Sequence, residues 1–163
     1  MELISYKNTS YPKFQTEGFS SQYIFPFAKK YCIGVGYDIG CNRVEWSLDG
    51  SIPVDIALDN NNYDAFNLPN DKVDYIFSSH CLEHLDSWVD ALLYWETKIK
   101  SGGILFLYLP HFSQEYWRPW NNRKHKHCMD ELQISSLLQR SFTNIFVSGV
   151  DLNNSFTIVA EKL

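Results

Sequence analysis

Lys72-Val-Asp-Tyr-Ile-Phe-Ser-Ser79 is rich in β-branched and aromatic residues, the composition of a central strand buried in a parallel sheet. Working outward, Leu85 to Lys100 places Trp88, Leu92, Trp95 and Ile99 at three- and four-residue spacing, the apolar face of a helix, with Ser101-Gly102-Gly103 as its stop signal. Ile104-Leu-Phe-Leu-Tyr-Leu109, the most apolar run in the chain, reads as another buried strand ended by Pro110. Upstream, Tyr31 to Asp38 reads as a strand closing on Asp38-Ile39-Gly40, and Ile52 to Ala57 as a weaker one before the Asn-rich loop 59–62. Phe19, Tyr23 and Phe27 mark one face of a helix within 17–31, kinked near Pro26. Downstream come a short helix, Asp130 to Gln139, and two strands near 142–149 and 155–161 joined by a turn at Asp151-Leu-Asn-Asn154. This alternation predicts an α/β fold: a mostly parallel sheet, helices on both faces and an antiparallel C-terminal hairpin. Ligands bind such sheets at the carboxyl ends of the strands, which directs attention to the residues after Asp38, Asp55, Ser79 and Leu109.

With 163 residues, the chain has the length of one domain. Residues 1–30 are expected to form a helical cap and 31–163 the core. The net charge of −5 argues against nucleic acid or an anionic membrane as partner. The charge is unevenly spread: Asp38 to Asp90 holds eleven acids and two bases, whereas Arg118 to Lys126 holds four bases and no acid. Four cysteines without a Cys-x-x-Cys pair read as reduced thiols of a cytoplasmic protein. Neither a signal peptide nor an apolar run long enough to span a bilayer is visible. The unusual quantity is the aromatic fraction, 16%. Its excess is concentrated in residues 1–31 and 106–120, expected to roof a cleft.

The ordered set Tyr37-Asp-Ile-Gly-Cys41, Val54-Asp55-Ile56, Asp64-Ala65, Asn67-Leu-Pro69, Val73-Asp-Tyr-Ile-Phe-Ser-Ser-His-Cys-Leu-Glu-His84, Lys100-Ser-Gly-Gly-Ile-Leu105 and Tyr108-Leu-Pro110 resembles the class I S-adenosylmethionine-dependent methyltransferases, in particular the small methyltransferase type 11 domains. The resemblance covers roughly residues 31–163. It implies a Rossmann-like three-layer α/β/α sandwich and S-adenosylmethionine as cofactor. By that resemblance Asp38, Ile39, Gly40 and Cys41 form the turn beside the methionine moiety. Asp55 with Ile56 takes the ribose hydroxyls, Asp64 and Ala65 read adenine, and Ser79 and His80 flank the methionine. One departure is visible: the family's Gly-x-Gly turn is Gly40-Cys41-Asn42 here. Asn is the non-glycine residue that best tolerates a left-handed backbone.

Methyl transfer to a hydroxyl or amine requires alignment and removal of a proton, and His is the natural base near neutral pH. His111, just past Pro110, is the first candidate, followed by His80 and His84. Tyr116, Trp117, Arg118, Arg123 and His125, in the aromatic and basic stretch after that strand, are the candidate acceptor contacts. A small-molecule or glycan acceptor is expected. The alternative is a non-catalytic S-adenosylmethionine-binding or interaction domain, favoured by the altered glycine motif and the short segment Val44 to Ser51. His80-Cys-Leu-Glu-His84 also spells the H-x-x-E-H pattern of inverted zinc peptidases, but it begins at a strand end rather than within a helix, and no metal is assigned.

Overall fold

The computed structural model describes residues 2–58, 63–69, 72–121 and 123–163; the Asn-rich loop read at 59–62 lies outside the described residues. The chain opens with a hairpin, β1 (Leu3–Tyr6) and β2 (Thr9–Pro12). Lys7 and Asn8 turn it at φ 45° and 65°, the left-handed pair that a two-residue type I′ turn needs. There follow α1 (Lys13–Thr16), α2 (Ser21–Ala28), β3 (Gly36–Ile39), β4 (Ile52–Val54), β5 (Val73–Ser79), α3 (Trp88–Lys98), β6 (Ile99–Pro110), α4 (Glu131–Leu138), β7 (Phe142–Val147) and β8 (Ser155–Lys162). Segment 1–30, read from sequence as helical, therefore begins with two strands before its helices.

The main sheet runs in the order β4-β3-β5-β6-β8-β7. The first four strands are parallel, and β8 is antiparallel to both β6 and β7. Strand alternation divides the core into two chemically different layers. Ile76, Leu105, Leu107 and Leu109 face α3 and α4, packing on Trp88, Leu92, Trp95, Ile134 and Leu138. Tyr75, Phe77, Phe106 and Tyr108 face the other way, onto Ile24 and Ala28 of α2. Rings continue that layer, with Phe25 5.9 Å from Phe77, Phe27 5.9 Å from Phe106, and Phe77 5.5 Å from Phe106. Much of the aromatic surplus is thus core. One eight-residue helix covers this face, and large side chains supply the remaining volume.

Two local expectations are corrected by tertiary pairing. The helix ends at Lys98, and Ser101-Gly102-Gly103 lies inside β6, because Ile99 is buried and pairs with Val73. A Cβ on Gly103 would come within 2.8 Å of the Asp74 carbonyl oxygen; this glycine permits close strand approach rather than stopping a helix. Asp130 does cap α4 as read, its side chain accepting from Gln133 N–H at 2.9 Å.

Asp38, expected beside the cofactor, is not among the residues lining the cavity at the strand ends. Its carboxylate is buried and accepts from Leu48 N–H at 2.7 Å, holding the segment 41–48 against the sheet. Burial pushes this carboxyl up to about 7. Because the folded value lies above the unfolded one, its contribution is fully present below the unfolded value and is lost as pH rises through about 7. Asp38→Asn is therefore expected to gain in stability relative to the native protein as pH rises from about 4 to 7, measured by urea denaturation at three pH values; a constant difference would exclude this linkage. Phe77→Ala, which empties the aromatic layer at its centre, is expected to cost about 3–5 kcal/mol in the same assay.

Candidate functional site

A cavity of about 370 Å³ opens at the carboxyl ends of β3, β4 and β5. Its floor includes Ile39, Gly40, Asn42, Asp55 and His80, and its roof comes from two distant segments, 15–20 between α1 and α2, and Trp117 with Lys124 and His125. The first segment and the hairpin before it are anchored to later parts of the chain. Lys7 pairs with Glu115 at 3.0 Å, the Tyr6 and Tyr116 rings lie 5.0 Å apart edge to face, and Gln15 Nε2 donates to the Asn153 carbonyl at 2.6 Å. Trp117 then stacks on His125, with centroids 4.8 Å apart and 12° between planes.

The turn after β3 survives its departure from the glycine pattern. Gly40 has φ 90° and Asn42 φ 63°, so Asn42 adopts the left-handed conformation that Asn tolerates. Its N–H donates to Asp55 Oδ2 at 2.7 Å, and Ala57 N–H donates to Oδ1 at 2.8 Å. Those bonds fix the carboxylate at the end of β4 and leave lone pairs for a ligand. A Cβ on Gly40 would sit 2.5 Å from Cys81 Cβ, so the turns after β3 and β5 touch at this point.

The turn after β5 is strained at His80, a non-glycine residue with φ 49°. Next, Leu82–His84 forms a single 3-10 turn that buries Glu83 completely. Three imidazoles surround the carboxylate. His80 Nδ1 lies 3.7 Å from Oε1, and His84 Nε2 and His125 Nε2 each lie 3.8 Å away. His125 is delivered by backbone bonds, since Glu83 O accepts from Lys126 N–H at 2.8 Å and from His127 N–H at 3.2 Å. His84 Nδ1 donates to Lys124 O at 2.7 Å, and His127 Nε2 donates to Leu85 O at 2.8 Å. Burial pushes the Glu83 carboxyl up to about 7. Burial, then the neighbouring His84, brings His125 down to about 3. Burial also holds His80 well below its ordinary value, with His125 and His84 adding to the effect.

Of the residues expected at the cofactor, Ile39, Gly40, Asp55, Ile56, Ala65 and His80 line the cavity. Asp38, Cys41, Asp64 and Ser79 lie outside its lining. Asp64 instead accepts from Phe66 N–H at 2.7 Å within its own turn. Of the acceptor-side candidates, His84, Trp117 and His125 line the cavity. Tyr116 packs against Tyr6 and Tyr11. Arg118 donates to Phe112 O at 3.0 Å, and Arg123 is exposed outside the lining. His111 also lies outside it, with Nδ1 bound to Ser113 Oγ at 2.7 Å and Nε2 3.2 Å from Glu131 Oε2. The strand end at Pro110 leads that side chain toward the start of α4. Sequence reasoning did not select Asn42, Cys81 or Glu83; the last carried a signal, a carboxylate between two histidines of one short motif.

Known proteins are similar to the chain in both sequence and fold. A family model described as a methyltransferase domain matches residues 22–145. No curated protein matches the chain. The fold is shared with a SAM-dependent methyltransferase from Archaeoglobus fulgidus at TM-score 0.68 and 18% identity, covering 91% of this chain and 98% of that one. It is shared with a SAM-dependent methyltransferase from Thermotoga maritima at TM-score 0.73 and 17% identity, covering 92% of each chain. N-methyltransferase NodS from Bradyrhizobium japonicum, solved with S-adenosyl-L-homocysteine, matches at TM-score 0.60 and 13% identity, covering 92% and 88%. The family match spans most of the sheet and both cavity-forming turns, so the chain belongs to the methyltransferase domain family and has the fold of the S-adenosylmethionine-dependent methyltransferases.

Proposed function

We propose that this methyltransferase binds S-adenosylmethionine in the cavity and transfers its methyl group to a hydroxyl or amine of a small-molecule or glycan acceptor. The observation that carries this reading is the set of strand ends on one cavity wall: Gly40 and the left-handed Asn42 after β3, Asp55 after β4, and His80 after β5. Bare backbone at Gly40 admits the methionine part, the Asp55 carboxylate accepts ribose hydroxyls, and Ile56 with Ala65 offers an apolar seat and backbone for adenine. A cavity of about 370 Å³ lies within the usual range for small ligands.

The acceptor enters from the roof. Trp117 stacked on His125 provides a flat aromatic wall suited to a sugar or other ring. Sulfonium methyl transfer is an in-line displacement: the acceptor atom bonds to the methyl carbon as the carbon–sulfur bond breaks, leaving S-adenosylhomocysteine, and the acceptor's proton departs. The acceptor's proton is lost at the cavity end lined by His80, His84 and His125 rather than at His111, which lies outside the lining. No helix among the described residues is long and apolar enough to cross a membrane.

Calorimetric titration with S-adenosylhomocysteine tests the cofactor half. The native protein is expected to bind, and Asp55→Ala to bind at least about tenfold more weakly, a loss of about 1.4 kcal/mol. Equal affinity for both would remove Asp55 from the ribose role, and no binding by the native protein would overturn the reading. Gly40→Ala, strained at φ 90° and pressed against Cys81, is expected to lose both stability and S-adenosylhomocysteine binding, checked by thermal unfolding with and without that ligand.

A further inference from the structure

We propose that Glu83, His84 and His125 form a binding site for a divalent transition-metal ion of the zinc type, at the acceptor end of the cavity. The buried carboxylate has no side chain or backbone donor from another described residue on either oxygen, and a buried acceptor left that way is costly. The groups around it are acceptors too. A carbonyl can only accept, so His84 Nδ1 carries the proton given to Lys124 O, and in the neutral ring, the form that binds a metal, its Nε2 faces Glu83 as a lone pair. Ser155 Oγ spends its hydrogen on Asn153 O, so it accepts from His80 Nε2–H, which leaves His80 Nδ1 as a second lone pair toward the same carboxylate. Convergent lone pairs on a buried carboxylate are the arrangement that a cation resolves, and outer hydrogen bonds that fix imidazole tautomers are the usual support of metal-bound histidine.

The dimensions fit. One ligand atom from each of Glu83, His84 and His125 lies within 4.8 Å of the others. Tetrahedral bonds of about 2.0–2.1 Å place ligands about 3.3 Å apart, so side-chain rotations of about an ångström close the set. Two imidazole nitrogens and one carboxylate suit zinc, cobalt or iron rather than magnesium or calcium, which prefer all-oxygen shells. The motif is not the peptidase helix its spelling matches: Leu82–His84 is one 3-10 turn, and the third ligand comes from a loop 41 residues after His84. His84 and His125 line the cavity, so a remaining coordination position faces the acceptor. An acceptor oxygen bound there would lose its proton more readily. That last role rests on the proposed methyl transfer; metal binding itself does not.

The test uses tag-free, chelator-treated protein carrying Cys128→Ser, so that the exposed thiol contributes nothing. Titration with Zn2+ alone, by calorimetry, and with Co2+ alone, by visible absorption, is expected to show one equivalent bound, with Mg2+ giving no signal. Glu83→Gln and His125→Gln are expected to lose at least about tenfold in Zn2+ affinity, and the partly exposed His84→Ala covers the case in which a buried replacement fails to fold. His111→Ala, outside the cluster, is expected to bind as the native protein does. Absence of Zn2+ binding, binding unchanged in folded cluster variants, or equal loss in His111→Ala would overturn the proposal. S-adenosylhomocysteine titration, run separately, reports on the methyl-transfer reading alone.

Discussion

The missing side chain of Gly40 is what allows the turns after β3 and β5 to meet. Any Cβ there would overlap Cys81, so the turn after β3 would be forced off the turn after β5. Their contact sets the depth of the cavity floor. It also fixes where Asn42 can donate to Asp55 and where His80 must bend into its left-handed conformation to leave the sheet. Strand pairing explains why the constraint is rigid: β3 and β5 are adjacent and parallel, in register from Gly36–Tyr75 to Ile39–Ser78. Neither turn can move without disturbing that ladder.

The sheet was readable because its apolar runs are short, strongly biased toward β formers and separated by clear breaks. Gly40 and Asp55 were expected at the cavity because each follows a strand, and Ala65 because of the family resemblance alone; all three line it. Which way a side chain faces is set by the tertiary structure, not by its place in the chain. Asp38 and Ile39 are neighbours in the chain but point to opposite faces, so only Ile39 reaches the cavity while Asp38 binds Leu48. His111 follows a strand end as His80 does, yet its partner is Glu131 across the start of α4. Glu83 and His125 are far apart in sequence, and nothing local announces that backbone bonds from Lys126 and His127 will bring them together.

Aromatic excess had two causes that composition alone could not separate. Tyr75, Phe77, Phe106 and Tyr108 fill the thinly covered face of the sheet. Tyr6, Tyr11, Tyr116 and Trp117 form the chain of ring contacts in the roof. The first group contributes burial; the second links the hairpin to the loop after β6 and ends on His125 at the site.

That roof has a consequence for how the molecule assembles. The bond from Gln15 to Asn153 spans 138 positions and the pair Lys7–Glu115 spans 108. Contacts of such separation must offset the entropy of closing the long loop between their partners. The hairpin needs Glu115 and Tyr116 after β6, and Gln15 needs Asn153 just before β8, so neither contact can form until those later segments are in place. The mouth of the cavity is therefore closed by contacts that cross most of the chain, whereas its floor is held by strands paired with their immediate sheet neighbours.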